Sequence, residues 1–188
     1  MFSTGERPTR GGRRDRGATL VEAAVVFPML FLLLFGLVEF GWAFKDNLSV
    51  GHSAREAARA GATFGNDAYA NLLVLQEIEE VMDPVGIADG LRVRIYNPVS
   101  GVFDDYVFTD GYAFGCDWVP CPDPDNALYS IPVWNPTTRD VSAPFTDRIG
   151  VRVTFTHKWI TRFFASTSDF TKDVDFQIEP QVFEVIGP

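Results

Sequence analysis

The chain has 188 residues, of which 46% are hydrophobic, and carries 16 basic against 25 acidic side chains. This length leaves room for a membrane segment and one folded core, but not for two domains of ordinary size. Residues 1–17 hold five arginines and two acidic residues, so the remainder has a net charge of −12. That balance argues against nucleic-acid binding, because phosphate contacts depend on Lys and Arg.

The N-terminal segment, residues 1–17, is short, basic and rich in Gly and Pro. Its composition predicts a disordered tail. Basic residues beside an apolar segment stay on the cytoplasmic side of a membrane, so the N-terminus is expected there and the C-terminal part outside the cytoplasm.

A long apolar segment follows the basic tail. From Ala23 to Phe44 there are 22 residues, and Glu39 is the one charged residue among them. About 20 apolar residues in a helix span the ~30 Å hydrocarbon layer. A secretory signal would be shorter and would end in small residues, whereas this segment ends in Trp42-Ala43-Phe44. The pattern therefore predicts one transmembrane helix in an inner or cell membrane.

The predicted helix continues beyond the membrane, from about Leu20 to Ala62, because residues 46–62 contain good helix formers and no Pro. Ala54, Ala58 and Ala62 recur every four residues and form a ridge of small side chains. Such a ridge lets another backbone approach closely. The alternative is a plain Ala-rich helix without a partner.

A second helix is predicted over residues 67–82, capped by Asn66 or Asp67. Its apolar residues Leu72, Leu75, Ile78 and Met82 fall on one stripe. Four strands are predicted from alternating patterns, over residues 91–95, 102–108, 151–155 and 174–178. We expect an α+β fold, in which a long N-terminal transmembrane helix continues into an extracytoplasmic domain with a second helix on a roughly four-stranded antiparallel sheet. Residues 159–164 are expected to fold over the sheet edge, with an aromatic contact patch as the alternative.

Residues 110–147 are rich in Gly, Pro, Asp and Trp and show little periodicity, so they are predicted to form a long surface loop. The loop holds both cysteines, Cys116 and Cys121, and a disulfide between them is expected outside the cytoplasm. Four intervening residues do not match the spacing of redox or zinc motifs. Oxygens of Asp123, Asp125 and Asn126 could bind calcium, but solvated turn residues are the favoured interpretation.

The sequence offers little catalytic chemistry. His52 and His157 do not fall in a metal-ligand spacing, and no nucleophile or phosphate-binding motif is present. We therefore expect no enzyme activity, no cofactor, no metal and no small-molecule substrate. Glu22 does call for an explanation, because a carboxylate in an apolar segment is costly unless it is paired, protonated or placed at the interface.

Four sequence pieces together resemble a known family. They are GATLVE at residues 17–22, FPML at 27–30, FGLVEFG at 35–41 and AREAARAG at 54–61. Their order and spacing are similar to those of TadE-like minor pilins, or pseudopilins, of the tight-adherence (Flp) pilus, a branch of the type IV pilus family.

The resemblance implies that a membrane prepilin peptidase cuts between Gly17 and Ala18. Glu22 would then be the fifth residue of the mature chain and would pair with the terminal amine of a neighbouring subunit. The resulting divisions are a cleaved leader at 1–17, a transmembrane and protruding helix at 18–64, and an extracytoplasmic domain at 65–188.

The function implied by the resemblance is structural: a minor pilin that takes part in pilus assembly, adhesion and surface colonisation. Its partners would be the membrane, the peptidase, other pilus subunits and the membrane assembly platform. The alternative is a signal-anchored extracytoplasmic domain that binds a ligand or acts as a sensor, suggested by the long loop that carries the cysteines.

Overall fold

A computed structural model describes residues 14–85, 90–162 and 165–180. It divides into two compact units, Met1–Gly41 and Trp42–Pro188. The elements in chain order are α1 (Arg14–Phe64), α2 (Ala70–Met82), β1 (Arg92–Tyr96), β2 (Phe103–Ala113), β3 (Cys116–Val119), β4 (Arg148–Lys158) and β5 (Thr167–Gln177). The α+β class is confirmed, with five strands in place of about four.

The first unit holds the N-terminal part of α1. Within the described residues, one helix, Gly17–Phe64, is long and apolar enough to cross a membrane, with a mean hydropathy of 2.5 in its most apolar window. Pro28 lies inside this helix. Most of the predicted disordered tail, residues 1–13, lies outside the described residues, but its last four residues are helical because α1 begins at Arg14.

In the second unit, α1 runs antiparallel to β4. Asp46 contacts His157 near the end of β4, and Gly61 approaches Ile149 near its beginning. Between them, Gly51 lies beside Lys172, which pairs with Val153 in the β4–β5 ladder. The buried face of α1 consists of Val50 and small residues, so the helix axis comes close to the sheet.

Helix α2 differs from the prediction at its start. It begins at Ala70, three residues later than expected, and its N-cap residue Tyr69 has no side-chain cap. The Asp67 carboxylate accepts a hydrogen bond from the Tyr69 backbone N–H at 2.8 Å, so it stabilises the preceding turn instead of the first helical turn. The buried face includes Leu75, Ile78 and Met82 as predicted; Leu72 is half-buried at its margin and Val74 takes a core position.

The sheet is antiparallel throughout, with strand order β3-β2-β1-β4-β5. All four predicted strands are present, and β2, β4 and β5 are longer than expected. Strand β5 begins at Thr167, before the predicted start at 174, because polar residues on its exposed face pair with β4: Thr171 contacts Thr154, and Asp169 accepts a hydrogen bond from Thr156. These short polar side chains conceal the strand from a pattern based on hydrophobicity. Residues 163–164 of the segment predicted to fold over the edge lie outside the described residues.

The prediction of a surface loop over residues 110–147 is wrong in its main feature. The segment contains the end of β2, all of β3 and a short 3-10 helix at Pro136–Thr138. Trp118 on β3 and Trp134 are buried at 2% and 7% exposure, and both belong to the core. The Trp118 ring lies edge-on to the Phe108 ring with centroids 5.3 Å apart. Four residues are too few to show a clear alternating pattern, which explains why β3 was missed.

The expected disulfide between Cys116 and Cys121 is present, with the two Cα atoms 6.1 Å apart. It joins Cys116, the first residue of β3, to Cys121, which forms an isolated parallel β-bridge with Tyr129. The disulfide therefore ties the edge of the sheet to the irregular segment that follows β3.

Gly61 gives a direct test of the packing between α1 and the sheet. A Cβ atom at Gly61 would lie 2.6 Å from Ile149 Cδ1 and 3.0 Å from Val74 Cγ2. Overpacking of this kind costs about 1–3 kcal/mol, so we expect Gly61→Val to lower the free energy of unfolding by that amount. Thermal melts of the full chain in detergent, followed by near-UV circular dichroism, measure the change.

The matched control is Gly51→Val in the same helix, where the nearest atom to a new Cβ is Lys172 Cγ at 3.8 Å. Both substitutions have the same intrinsic helix propensity, so their difference reports packing alone. Equal stability of the two variants would contradict the close contact at Gly61.

Candidate functional site

The candidate processing and pairing residues lie on the open surface of α1. Gly17, Ala18 and Glu22 are all helical and exposed, and no heavy atom lies within 4 Å of the position of a Cβ at Gly17. Ala18 and Glu22 are four residues apart, so they share one helix face at a rise of roughly 6 Å.

Apart from Glu22 and Glu39, the helix from Leu20 to Phe40 is apolar on every face. Its large apolar side chains are about half-exposed or more, and they are Leu20, Val21, Val25, Val26, Phe27, Met29, Leu30, Phe31, Leu32, Leu33, Leu34, Phe35, Leu37, Val38 and Phe40. The rings of Phe27, Phe31 and Phe35 follow one another along one face, with centroids 6.3 and 6.5 Å apart. A helix that is apolar all round is stable only in lipid or among other helices.

Glu39 departs from this pattern. Its side chain is 3% exposed, whereas the neighbouring Val38 and Phe40 are each 51% exposed. The burial of Glu39 distinguishes it from Glu22, whose side chain is exposed on the same helix.

The three alanines of the predicted packing ridge are buried in the core of the second unit. Ala54 and Ala58 are fully buried, and Ala62 is 4% exposed. They belong to the same apolar cluster as Leu75 of α2 and Val151 of β4. The close approach that their size allows is therefore made to the chain's own domain.

The two histidines have different surroundings. His52 is exposed, with its Nδ1 atom 3.9 Å from the Glu56 carboxylate. His157 is buried, and its Nδ1 atom lies 2.6 Å from Asp46 Oδ2, so this contact joins the end of β4 to α1. In the part of the chain that the structure describes, no group of three or more His, Cys, Asp or Glu side chains could hold a metal ion.

The outer face of the sheet carries four cross-strand ion pairs that the sequence did not reveal. They are Arg92–Asp169, Arg94–Asp105, Arg148–Asp175 and Arg152–Asp173. Tyr96 lies among them and donates a hydrogen bond to Asp173; partial burial, aided by this bond, raises its pKa to about 12. Each arginine has an acidic partner, so the charges of this face compensate one another.

A buried arginine holds the irregular segment against the helices, and no sequence motif indicated it. Arg139 is 3% exposed; its guanidinium donates to Asn71 Oδ1 and to the Gly65 carbonyl, and lies 4.2 Å above the Trp134 ring. Burial lowers the pKa of Arg139 to about 10. Asn71 in turn donates to the Tyr106 hydroxyl at 2.9 Å, which connects α2 to β2.

Asp104 fixes the same segment from the other side. Its carboxylate accepts the backbone N–H groups of Val133 at 2.6 Å and Trp134 at 3.0 Å. Asp104 is 8% exposed, so these two bonds compensate the loss of hydration of its carboxylate. Asp104 and Arg139 together explain how an irregular segment becomes part of the core.

The possible calcium ligands take part in turns. Asp123 Oδ1 accepts the Asp125 N–H at 3.0 Å, and Asn126 Oδ1 accepts the Leu128 N–H at 3.0 Å. Asp125 accepts a hydrogen bond from the Tyr69 hydroxyl at 2.7 Å. These oxygens stabilise local turns and a contact with the start of α2.

Glu79 on α2 accepts a hydrogen bond from the Trp118 indole. Partial burial raises the pKa of Glu79, while the indole bond acts in the opposite direction. The groove beside it is acidic, and its lining includes Glu80, Asp83 and Asp110.

Arg139 and Arg92 form a matched pair for a stability test. Arg139→Ala would remove the donors to Asn71 and Gly65 and the cover over Trp134, so we expect the free energy of unfolding to fall by about 3 kcal/mol. Arg92→Ala removes a surface pair in which both side chains are about half-exposed, and should change stability by less than about 1 kcal/mol. Denaturant unfolding of the full chain in detergent, followed by Trp fluorescence, compares them; similar losses would refute the assigned role of Arg139.

Comparison with known proteins adds one finding. Residues 17–59 match the family model described as TadE-like protein. No curated protein and no solved structure matches the chain. The matched segment begins at the candidate processing site and ends five residues before the end of α1. Over this segment the chain is similar to TadE-like proteins, which is consistent with a role in the tight-adherence pilus system.

Proposed function

We propose that the chain is a structural minor pilin, or pseudopilin, that takes part in assembly of the tight-adherence pilus. The observation that carries the proposal is the TadE-like match over residues 17–59, on a helix whose apolar surface is open on every face. Such a surface needs lipid before assembly and other subunit helices after it. Adhesion and surface colonisation are then properties of the assembled pilus to which this subunit contributes.

The proposal includes removal of a leader. A membrane prepilin peptidase cuts between Gly17 and Ala18, and residues 1–17 remain on the cytoplasmic side. Support comes from the position of the family match, which starts at Gly17, and from the open surroundings of Gly17 and Ala18.

Glu22 has a physical role in this proposal. Cleavage creates an α-amino group at Ala18, and the Glu22 carboxylate of one subunit pairs with that amine on its neighbour. Desolvation of a single charge among packed helices costs several kcal/mol, and the opposite charge offsets this cost. The pairing therefore favours one axial position of the incoming helix over others.

The proposed topology places the N-terminus in the cytoplasm and residues 65–188 outside the inner membrane. The arginines before the apolar segment support this orientation. The disulfide between Cys116 and Cys121 supports it independently, because such bonds persist in oxidising compartments. The size of the domain favours a minor, tip or assembly-priming subunit that interacts with other pilus subunits and the membrane platform.

The ligand-binding alternative loses its motivation in the structure. It depended on an open loop rich in Trp, but Trp118 and Trp134 are buried in the core. The segment that contains them is held in place by Asp104, Arg139 and the disulfide.

The position of cleavage is testable by mass analysis of the N-terminus. Protein isolated from cells that contain a prepilin peptidase should begin at Ala18, and protein from peptidase-deficient cells should retain residues 1–17. A mature chain that begins at another residue would refute the assignment, and so would an uncut chain in the presence of an active peptidase.

A second prediction concerns Glu22. Glu22→Val should leave membrane insertion intact, since Val is compatible with lipid, but should reduce piliation strongly because the terminal amine loses its partner. Glu56→Gln is the control on the same helix, because Glu56 is a carboxylate that lies outside the apolar segment and its side chain is 36% exposed. Membrane fractionation and electron microscopy of pili measure the two effects; normal piliation with Glu22→Val would contradict the pairing.

A further inference from the structure

The turns of the β2–β3 and β4–β5 hairpins lie at the same end of the domain. Val107 of β2 and Thr154 of β4 both pair with Arg92 of β1, so they lie at one level. The tip of the β2–β3 hairpin, Phe114, comes seven residues after Val107, and Ile160, in the β4–β5 connection, comes six residues after Thr154. At about 3.3 Å per residue, both tips extend roughly 20 Å beyond Arg92.

Helix α1 enters the second unit at this same end. Asp46 is held 2.6 Å from His157, whose ring packs against the Trp159 ring with centroids 5.0 Å apart. Because α1 runs antiparallel to β4, Phe44 and Trp42 lie before Asp46 on the side of the hairpin tips. We name this region, formed by residues 42–48, 112–115 and 158–162, the Trp42 end of the domain.

The Trp42 end exposes large apolar side chains on all three elements. Phe44 and Leu48 of α1 are 63% and 57% exposed, Phe114 is 78% exposed and Ile160 is 66% exposed. Phe114 and Arg162, with φ of 51° and 55°, are the two positive-φ residues other than glycine within the described residues, and each lies at one of these tips. Phe114 therefore combines a strained backbone conformation with an exposed aromatic ring, and its exposure does not stabilise the fold. This combination points to an interaction with something outside the chain.

One side of the Trp42 end, formed by α1 and the β4–β5 tip, is basic, whereas the rest of the domain is acidic. Lys45, Lys158 and Arg162 lie there, and the acidic Asp46 is paired with His157. The remainder of residues 42–188 has eight basic and twenty acidic side chains. On the β2–β3 hairpin, Asp117 accepts a hydrogen bond from the Gly111 N–H, while Asp110 borders the acidic groove.

We propose that the Trp42 end rests on the membrane surface, with Ile160 and Phe114 inserted at the headgroup level and Lys158 and Arg162 near anionic lipid headgroups. The occupant is lipid because Trp42 and Phe44 stand at the end of the apolar segment Ala23–Phe44, where the chain leaves the membrane in the proposed function. Exposed apolar residues beside basic side chains are the features that bind a protein to an anionic interface. The contact fixes the orientation of the domain before the subunit leaves the bilayer.

The test uses the full chain in vesicles of phosphatidylcholine and phosphatidylglycerol. Both native cysteines form the disulfide, so Ile160→Cys or Phe114→Cys provides a single free thiol for an environment-sensitive fluorophore. Lipids that carry a nitroxide near the headgroup should quench the fluorophore at both positions. Val99→Cys is the matched control, because Val99 is 80% exposed and lies in the β1–β2 turn at the opposite end of the sheet; it should show only background quenching.

The proposal depends on membrane anchoring, so Leu32→Cys is labelled in parallel to report insertion of the helix with lipids that carry a deep nitroxide. Quenching at position 32 combined with a lack of quenching at position 160, at position 114 or at both would overturn the proposal and leave anchoring intact. The absence of quenching at 32 would refute anchoring itself. Shielding of position 160 from aqueous iodide without quenching by lipid would show that another protein surface covers this end, which also overturns the proposal.

Discussion

The close contact of α1 with β4 and α2 is the interaction on which the folded domain depends. It is possible because the helix presents Ala54, Ala58 and Gly61 to the core, and a Cβ at Gly61 would already overlap Ile149. A surface of larger side chains would hold the helix axis farther from the sheet and leave voids between them. The same helix carries the TadE-like segment, so one element serves both the core of the domain and the proposed assembly of the pilus.

Most of the polar chemistry of the domain is used to hold its parts together. Arg139 and Asp104 fix an irregular segment that has few backbone ladder bonds of its own, and the disulfide ties that segment to the sheet edge. On the outer face, three of the four arginine–aspartate pairs join neighbouring strands, and such pairs stabilise an exposed sheet surface without apolar side chains. These arrangements agree with the structural role proposed for the chain, which would depend on shape and orientation.

The features of the fold that could be predicted are those that depend on residues close together along the chain. The disulfide was predictable because its cysteines are five residues apart, and most strands were predictable because each shows its own alternation. Strand β3 and the burial of Trp134 were not, because they depend on partners far along the chain, such as Phe108 for Trp118 and Arg139 for Trp134. The start of α2 was also misplaced. Asp67 can either cap a helix or stabilise a turn, and the neighbouring residues in the sequence do not decide between these two roles.

The sequence by itself determined the apolar helix, the TadE-like motif that begins at Gly17, the α+β class and the pairing of the two cysteines. These properties depend on composition and short-range spacing, which a single segment contains in full. Only the tertiary structure decided that the alanine ridge faces the chain's own core, that Arg139 is buried, and that Phe114 and Ile160 share one end of the sheet. Each of these depends on the register of strands and on contacts between distant residues, which local patterns do not specify.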